Sequence, residues 1–323
     1  MSTKNNLKNN NFLIVVLGPT ATGKTDFAIK LAKQFRGEIV CADSRTIYQQ
    51  MDIGTAKPGP RKYPRINHKF PQIIIKGAVH YLIDIKKPNE NFTAAEFKER
   101  ALKIIKDVQS RGKIPFLIGG TGLYISAVIN NLDIPKIAPD KKLRKKLEVY
   151  AKKYGLKKLY AKLIKLDPEA KNFIDAKNPR RIIRALEVCL KTKQKFSQLR
   201  QPGQSLFNIL QIGLNLPRQE LYKKINSRVD QMIKNGLIKE TKSLMKKYSP
   251  NLPSMTGIGY QQVGLYLKNK ITLPEAIELI KKDTRHYAKR QLTWFKRDKN
   301  IKWLNQNNTT SAEKIIKKFI KNN

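Results

Sequence analysis

Apolar and polar positions alternate along roughly the first 130 residues in blocks that fit strands separated by helices. The run FLIVVL at residues 12–17 is apolar throughout, as in a strand buried on both faces of a parallel sheet. The next segment, DFAIKLAKQF, repeats apolar residues at helical spacing. EIVCADS, HYLIDI and IPFLIGG predict further strands. FTAAEFKERALKIIKDVQSRG predicts a helix with Thr93 as N-cap and Gly112 just past its end. The pattern predicts a parallel sheet wrapped by helices.

The pattern changes at about residue 132, where helical segments follow one another without a strand. LRKKLEVYAKKYGLKKLYAKLIKLDPEA and NPRRIIRALEVCLKTK are both helical in periodicity. NILQIGLNLP then restores a strand, further helices follow, and IKWL predicts a last strand near the end of the chain. We therefore predict an α/β class with a P-loop NTPase-like parallel sheet core over residues 12–131 and 201–323. An all-helical insertion domain is predicted over residues 132–200.

The loop after the first apolar run has a recognisable phosphate-binding pattern. GPTATGKT fits G-x-x-x-x-G-K-[ST], with Gly18, Gly23, Lys24 and Thr25 at the fixed positions. The variable positions are Pro19, Thr20, Ala21 and Thr22. In such nucleotide-binding loops, ATP-binding ones included, backbone N–H groups and a helix N-terminus surround phosphate oxygens. The strand and helix on either side make a chance match improbable, so the sequence predicts a site for a polyphosphate or a diphosphate.

Two more polar positions fall at predicted strand ends. Asp43 closes the EIVCADS strand, and Thr121 lies within the glycines of GGTG after IPFLIGG. Ligands of open α/β sheets bind beyond the carboxyl ends of the strands. Asp43, Thr121 and the P-loop are therefore expected to share one site, although GGTG by itself is equally compatible with a tight structural turn.

Charge narrows the choice of partners. The 323 residues include 66 Lys and Arg against 24 Asp and Glu, a formal net charge of +42. Such an excess favours a polyanionic partner, with nucleic acid as the first candidate. The sequence has no apolar run long enough to span a membrane, so no membrane partner is expected. Cys41 and Cys189 are predicted to be buried free thiols, and the protein is predicted to be cytoplasmic.

Several motifs then occur in a distinctive order. After GPTATGKT come ADSRTIYQQMDIGTAKP, HYLIDI, GGTGLY, NPRRIIRALEV, GIGYQQ and AKRQLTWF. Together they resemble the tRNA dimethylallyltransferases, over roughly residues 12–303. The resemblance implies transfer of a dimethylallyl group from dimethylallyl diphosphate to the exocyclic amine of the adenosine just 3′ of the anticodon. The implied partners are the tRNA anticodon arm and dimethylallyl diphosphate, the implied cofactor is Mg2+, and a monomer is the family expectation.

The resemblance also implies roles for individual residues. The P-loop would hold the diphosphate, with Lys24 on leaving-group oxygens and magnesium at Thr25. Asp43 matches the family's catalytic carboxylate and would accept a proton from the attacking amine, a task for which a positioned base contributes about 10²- to 10⁴-fold. The alternative is that Asp43 is an outer ligand of magnesium and holds the groups that bind the ion directly. Thr121 matches a threonine that touches the substrate near the bridging oxygen, and Arg228 matches an arginine that grips the diphosphate.

A larger set matches family positions that contact tRNA. On a helix, residues 180, 181 and 184 share a face. The matched residues are Asp43, Ser44, Arg45, Thr46, Thr121, Arg144, Arg180, Arg181, Ile182, Ile183, Arg184, Thr256, Gly257, Ile258, Gly259, Tyr260 and Gln261. Departures occur where many family members have Gln in place of Thr46, a basic residue in place of Gln261 and a His-His pair in place of His80-Tyr81.

Two other functions share some of these features. A small-molecule or nucleoside kinase would use the same P-loop, but it does not account for MDIGTAKP or for the charge. A non-catalytic RNA-binding protein with ATP as a switch would account for the charge, but it would not need Asp43 for activity.

Overall fold

The computed structural model describes residues 11–64, 68–135, 137–200 and 203–322. In these ranges an eight-stranded sheet has the strand order β3-β4-β5-β2-β6-β1-β7-β8. The strands are β1 (Phe12–Leu17), β2 (Glu38–Ala42), β3 (Arg61–Lys62), β4 (Gln72–Ile75), β5 (Ala78–Tyr81), β6 (Pro115–Gly119), β7 (Asn208–Leu214) and β8 (Lys302–Leu304). From β5 to β8 all neighbouring strands are parallel, whereas β3 and β4 extend the sheet in antiparallel fashion. The predicted α/β class is thus confirmed.

Helices connect the strands and also form a region of their own. Those of the first part are α1 (Lys24–Gln34), α2 (Ala94–Ser110) and α3 (Gly122–Ile129). The middle of the chain has α4 (Lys141–Tyr154), α5 (Leu156–Leu166) and α6 (Pro179–Thr192). The remainder has α7 (Arg218–Lys234), α8 (Leu237–Lys247), α9 (Tyr260–Tyr266), α10 (Leu273–Phe295) and α11 (Thr309–Lys321).

The apolar runs that predicted strands form the centre of the sheet. β1 is fully buried between β6 and β7, with Val15 opposite Leu117 on one side and Gln211 on the other. α1 and α11 cover one face, where Phe27, Leu31 and Ile316 join the sheet's core. This central position places the loop that follows β1 at the carboxyl ends of several parallel strands.

The strand prediction for HYLIDI was partly wrong. β5 begins earlier, at Ala78, and ends at Tyr81. Leu82 and Asp84 have positive φ angles of 63° and 56°, a left-handed conformation that is incompatible with a strand. β3 and β4 were not predicted, because the segment before β5 is rich in Pro, Lys and Arg and has only a short apolar stretch.

The contacts divide the chain into two compact units. One comprises the described residues up to Thr93, together with Phe97–Ile125 and those from Leu206 onward. The other comprises Ala94–Glu96 and Ser126–Ser205 and has its own core, with Leu159, Leu163 and Leu186 among its members. The predicted insertion, 132–200, lies inside the second unit, which begins earlier, at Ser126, and ends later, at Ser205. Its role as a tRNA-contacting domain stays a prediction.

Candidate active site

The P-loop begins where β1 ends and leads directly into α1. Gly18 has φ 143°, and a Cβ there would lie 2.3 Å from the carbonyl oxygen of Leu214. Gly23 has φ 79° and precedes the first residue of α1, Lys24. At Gly18 there is no room for a side chain, and both residues have a positive φ that favours glycine. Both positions therefore need glycine. The turn directs the N-terminus of α1, with its unpaired N–H groups and positive dipole end, towards the site.

Two cations face the loop. Lys24 donates from Nζ to the carbonyl of Pro19 at 2.5 Å, and Arg228 donates to the hydroxyl of Thr20 at 3.2 Å. Burial and the nearby Arg228 lower the pKa of Lys24 to about 7, and Asp43 opposes this change. Burial also lowers the pKa of Arg228, against the attraction of Asp26. Bringing two cations together in a partly desolvated site is costly, and an anion between them would relieve the repulsion.

Asp43 is held by the backbone of its own turn. Its Oδ1 accepts hydrogen bonds from the N–H groups of Arg45 at 2.7 Å and Thr46 at 3.3 Å. Within the described ranges, its Oδ2 accepts none. One carboxylate oxygen therefore fixes the orientation of the group while the other can take a proton from a substrate.

Thr121 lies beside this turn. Its backbone N–H donates to the carbonyl of Ala42 at 3.3 Å, and its hydroxyl accepts from the N–H of Ser44 at 3.1 Å. Burial, together with the nearby Asp43, raises the pKa of Tyr287 on α10 to about 12. The ends of β2 and β6 are thus joined at this point, and the catalytic role of Thr121 stays a prediction.

Two cavities meet at this point. The first, which we call the P-loop cavity, has a volume of about 320 Å³ and includes Lys24, Thr25 and His80 in its lining. The second, the α10 cavity, has about 300 Å³ and includes Arg45, Tyr287 and Arg290. The residues common to both are Thr20, Asp43, Thr55, Ala56 and Arg228. The predicted catalytic carboxylate and the predicted diphosphate arginine therefore lie where the cavities adjoin.

The inner wall of the P-loop cavity is mainly apolar. Ile39 and Cys41 of β2 and Ile118 of β6 line it, together with His80 of β5. Burial lowers the pKa of His80 to about 4, against the hydrogen bond that its Nδ1 makes with the carbonyl of Ala78 at 3.0 Å. Burial and Asp43 raise the pKa of the Cys41 thiol. Near neutral pH both groups are uncharged, so this wall suits a hydrocarbon better than a second phosphate.

The predicted P-loop residues divide into two groups. Thr20, Ala21, Gly23, Lys24 and Thr25 line the P-loop cavity. Gly18, Pro19 and Thr22 support the loop instead: Thr22 is fully buried, and its hydroxyl donates to the carbonyl of Pro19 at 2.9 Å.

The predicted tRNA contacts of the first unit lie mostly around the α10 cavity. Those that line it are Asp43, Ser44, Arg45, Thr256, Gly257, Ile258 and Tyr260. Thr46 lines the P-loop cavity instead, and Gln261 is exposed. Gly259 precedes α9 with φ 97°.

In the second unit, the predicted tRNA residues differ in exposure. Arg180 and Arg181 at the start of α6 are exposed. Ile182 and Ile183 are buried in the unit's core, so their side chains offer no surface to a nucleic acid. Two apolar residues inside an amphipathic helix face its core, and a tRNA contact of this pair stays a prediction.

Arg144 and Arg184 of this unit are paired with an acid. Both donate to the buried carboxylate of Glu187, Arg144 at 2.9 and 2.7 Å and Arg184 at 2.6 Å. The two arginine side chains keep about a third of their surface exposed. A phosphate can therefore contact these side chains while they remain bound to Glu187.

Comparison with known proteins adds to this geometry. The family model described as IPP transferase matches residues 46–298. The chain belongs to the IPP transferase family. The P-loop and Asp43 lie before the matched segment, but Thr121 and Arg228 lie within it.

Relatives of this IPP transferase family member match it over nearly their full length. A tRNA dimethylallyltransferase of Acetivibrio thermocellus is 44% identical over 309 residues, 94% of this chain and 95% of that protein. One of Halalkalibacterium halodurans is 40% identical over 94% of each chain. The kinase alternative is not favoured by these matches.

Solved structures of the family have the same fold. The tRNA isopentenylpyrophosphate transferase of Bacillus halodurans matches with a TM-score of 0.70 and 38% identity, over 97% of this chain and 98% of that one. A eukaryotic dimethylallyltransferase acting on tRNA matches with a TM-score of 0.75 and 26% identity, over 97% of this chain and 80% of that one.

Among the described residues, no helix is both long and apolar enough to cross a bilayer.

Sequence analysis assigned no role to three residues of α10 that lie at the site. Thr284, Tyr287 and Gln291 recur at spacings of three and four, and they therefore lie on one helical face. Tyr287 lines the α10 cavity, and the side-chain oxygen of Gln291 accepts a hydrogen bond from the backbone N–H of Thr20 in the P-loop. The sequence does contain a signal for these residues: they are polar, but they lie on the same helical stripe as the buried Ile280 and Ala288.

Proposed function

We propose that this protein transfers a dimethylallyl group from dimethylallyl diphosphate to the exocyclic amine of the adenosine 3′-adjacent to the tRNA anticodon. The observation that carries the proposal is the junction of the two cavities at Asp43 and Arg228. A diphosphate on the P-loop and a base in the α10 cavity would present their reacting atoms to the same carboxylate. The names of the relatives support this choice of substrates.

The chain's own groups account for each part of the reaction. The amine nitrogen forms a bond to C1 of the dimethylallyl group as the C1–O bond breaks and diphosphate leaves with the electron pair. The free Oδ2 of Asp43 takes the proton of the amine. Lys24, Arg228 and the N-terminus of α1 bind the charge that develops on the diphosphate, a form of electrostatic stabilisation that is commonly worth several kcal/mol.

Magnesium fits the P-loop cavity. Thr25, Asp26 and Asp43 are among its lining residues, and hydroxyl and carboxylate oxygens are ligands that magnesium prefers. We propose that Thr25 holds the ion. When bound, magnesium would neutralise part of the diphosphate charge and so favour its departure.

The charge of the chain supports the proposed nucleic-acid partner. A net charge of +42 favours binding of a polyanion, and phosphate contacts would position the anticodon arm. The target adenine would have to leave its stack to enter the α10 cavity, at a cost of a few kcal/mol. We further propose that the protein acts in the cytoplasm as a monomer.

The decisive test measures transfer of radiolabelled dimethylallyl diphosphate to unmodified tRNA with magnesium. Asp43→Asn keeps the oxygen that accepts from Arg45 and Thr46 but removes the base, so transfer should fall about 10²- to 10⁴-fold while tRNA affinity stays within a few-fold. Asp175→Asn is the matched control, because Asp175 caps a similar turn by accepting from the N–H of Lys177 at 2.9 Å.

Three results would contradict the proposal. Transfer of phosphate from ATP to a small acceptor, without label in tRNA, would indicate a kinase. Binding of tRNA without turnover would indicate a non-catalytic RNA-binding protein. Equal transfer by Asp43→Asn and the native protein would remove Asp43 as the base.

A further inference from the structure

A short turn before β3 borders both cavities. This turn, residues 52–56, contributes Thr55 and Ala56 to the P-loop cavity and Gly54, Thr55 and Ala56 to the α10 cavity. Inside the turn, the N–H of Ala56 donates to the carbonyl of Ile53 at 3.0 Å, and Ala56 has φ 52°. Its position relative to Asp43 therefore helps to define the space in which the two substrates meet.

A single carboxylate holds the backbone of this turn. Glu240, in the first turn of α8, accepts from the N–H groups of Asp52 at 3.0 Å and Ile53 at 2.9 Å through Oε2. Its Oε1 accepts from the N–H of Gly54 at 3.1 Å. Three consecutive amides that no strand or helix engages are thus satisfied by one side chain 186 to 188 residues later.

The same carboxylate holds the other side of the α10 cavity. The phenol of Tyr260 donates to Oε1 of Glu240 at 2.7 Å. The Tyr260 ring is buried against Gly54, where an added Cβ would lie 2.5 Å from the ring. Tyr260 lines the α10 cavity together with residues 256–258. Glu240 consequently joins two segments of chain that line this cavity.

We propose that Glu240 is a positioning residue for the acceptor base: it fixes the 52–56 turn and Tyr260 and so sets the width of the α10 cavity next to Asp43. The proposal rests on the proposed function. Hydrogen bonds to an ionised carboxylate are about twice as strong as neutral ones, and four of them use both oxygens fully. A glutamine at this position would turn its amide hydrogens towards backbone N–H groups and leave donors unpaired.

The test compares Glu240→Gln with Glu220→Gln. Glu220 lies in the first turn of α7 and pairs with Lys224, so its substitution reproduces the loss of negative charge at a helix N-terminus. For Glu240→Gln we expect kcat/KM for tRNA to fall about 10- to 100-fold, since buried donors are left unpaired. The Kd for dimethylallyl diphosphate, measured by calorimetry without tRNA, should stay within about three-fold, because P-loop groups dominate it. Glu220→Gln should leave both values unchanged.

Tyr260→Phe provides a milder variant in case Glu240→Gln folds poorly. It removes one of the four bonds, and we expect a fall of about two- to ten-fold in kcat/KM for tRNA without a change in diphosphate affinity. Native kcat/KM in Tyr260→Phe, or parallel losses in tRNA turnover and diphosphate affinity in Glu240→Gln, would overturn the positioning role.

Hydrogen exchange separates this proposal from the proposed function. In Glu240→Gln at least one of the amides of residues 52–54 should exchange at least about ten-fold faster than in the native protein, because an NH2 group replaces one of the two acceptor oxygens. Unchanged exchange there would overturn the proposal even if the enzyme is active. If the native protein transfers no label to tRNA, the proposed function fails. Faster exchange in Glu240→Gln would still show that the carboxylate holds this turn.

Discussion

Thr20 donates its backbone N–H to the side-chain oxygen of Gln291, a residue 271 positions later in the chain, at 2.9 Å. The amide nitrogen of Gln291 in turn donates to the carbonyl of Gly120 at 2.8 Å. A Cβ on Gly120 would lie 2.2 Å from this nitrogen, so the approach requires glycine. One buried amide on α10 therefore connects the P-loop with the GGTG segment that carries Thr121.

Replacing Gln291 should loosen the diphosphate site. Gln291→Met preserves most of the volume but leaves the N–H of Thr20 and the carbonyl of Gly120 unpaired, each at a cost of about 1–3 kcal/mol. We expect diphosphate affinity to fall about ten-fold or more in calorimetry. Gln109→Met is the control, because Gln109 donates to the carbonyl of Phe12, a residue outside both cavities. Equal affinities in the two variants would contradict this prediction.

Diphosphate binding should be coupled to proton uptake by Lys24. Its pKa is lowered from 10.5 to about 7 in the free site, so the amine is largely neutral at pH 8 to 9. A bound diphosphate favours the ammonium form and raises this pKa. Calorimetry at pH 8.5 in buffers of different ionisation enthalpy should therefore reveal uptake of up to about one proton, together with weaker binding as pH rises above 7. Lys24→Met should abolish the buffer dependence, and persistence of the uptake in that variant would assign the proton to another group.

The same group affects the stability of the ligand-free protein. Because the folded-state pKa of Lys24 is depressed, the unfolded chain binds more protons between pH 7 and pH 10.5. The contribution of Lys24 to the free energy of unfolding should consequently rise with pH across this window. The cost of the buried ammonium group lowers the Tm of the native protein relative to Lys24→Met, and this difference should shrink from pH 7 to pH 9.5. A constant difference would argue against the lowered pKa.

Glu187 should be important for the stability of the second unit. Its buried carboxylate binds Arg144, Arg184 and the N–H of Asp140, the last at 2.6 Å. These arginines lower its pKa against the opposing effect of burial. Glu187→Gln should reduce the free energy of unfolding by about 1–3 kcal/mol in urea denaturation. Glu148→Gln, an exposed position on α4, should change it by less than about 0.5 kcal/mol. Indistinguishable variants would show that the cluster contributes no net stability.

Binding of tRNA should depend strongly on salt. If Arg181 contacts a phosphate, Arg181→Gln should weaken tRNA binding and reduce the slope of log K against log salt by about one. Arg181 suits this test because it is exposed and its side chain is not needed for the helix cap, where its N–H donates to Asn178 at 3.2 Å. Lys103→Gln, which removes an exposed partner of Glu99, is expected to preserve the slope. An unchanged slope in Arg181→Gln would exclude this contact.

Local pattern was enough to predict the frame of the site. The apolar runs of β1, β2 and β6 specify buried parallel strands, and the fixed glycines specify the loop after β1. Asp43 and Thr121 could be placed together because strand ends of a parallel sheet converge.

Other contacts could not be predicted, because they depend on how distant segments pack. Nothing near Gln291 or Glu240 in sequence indicates that one bonds the P-loop and the other bonds three amides of the 52–56 turn. The buried position of Ile183, in contrast, agrees with the helical periodicity of NPRRIIRALEV.

The two outermost strands of the sheet are also its shortest. β3 consists only of Arg61 and Lys62, and β8 begins with the exposed Lys302. Short edges that carry cations are poor templates for pairing with a strand of another molecule, since few backbone groups are available and like charges repel. Both edges of the sheet thus oppose pairing with a strand of another molecule, so the sheet ends with this chain instead of continuing into a polymer.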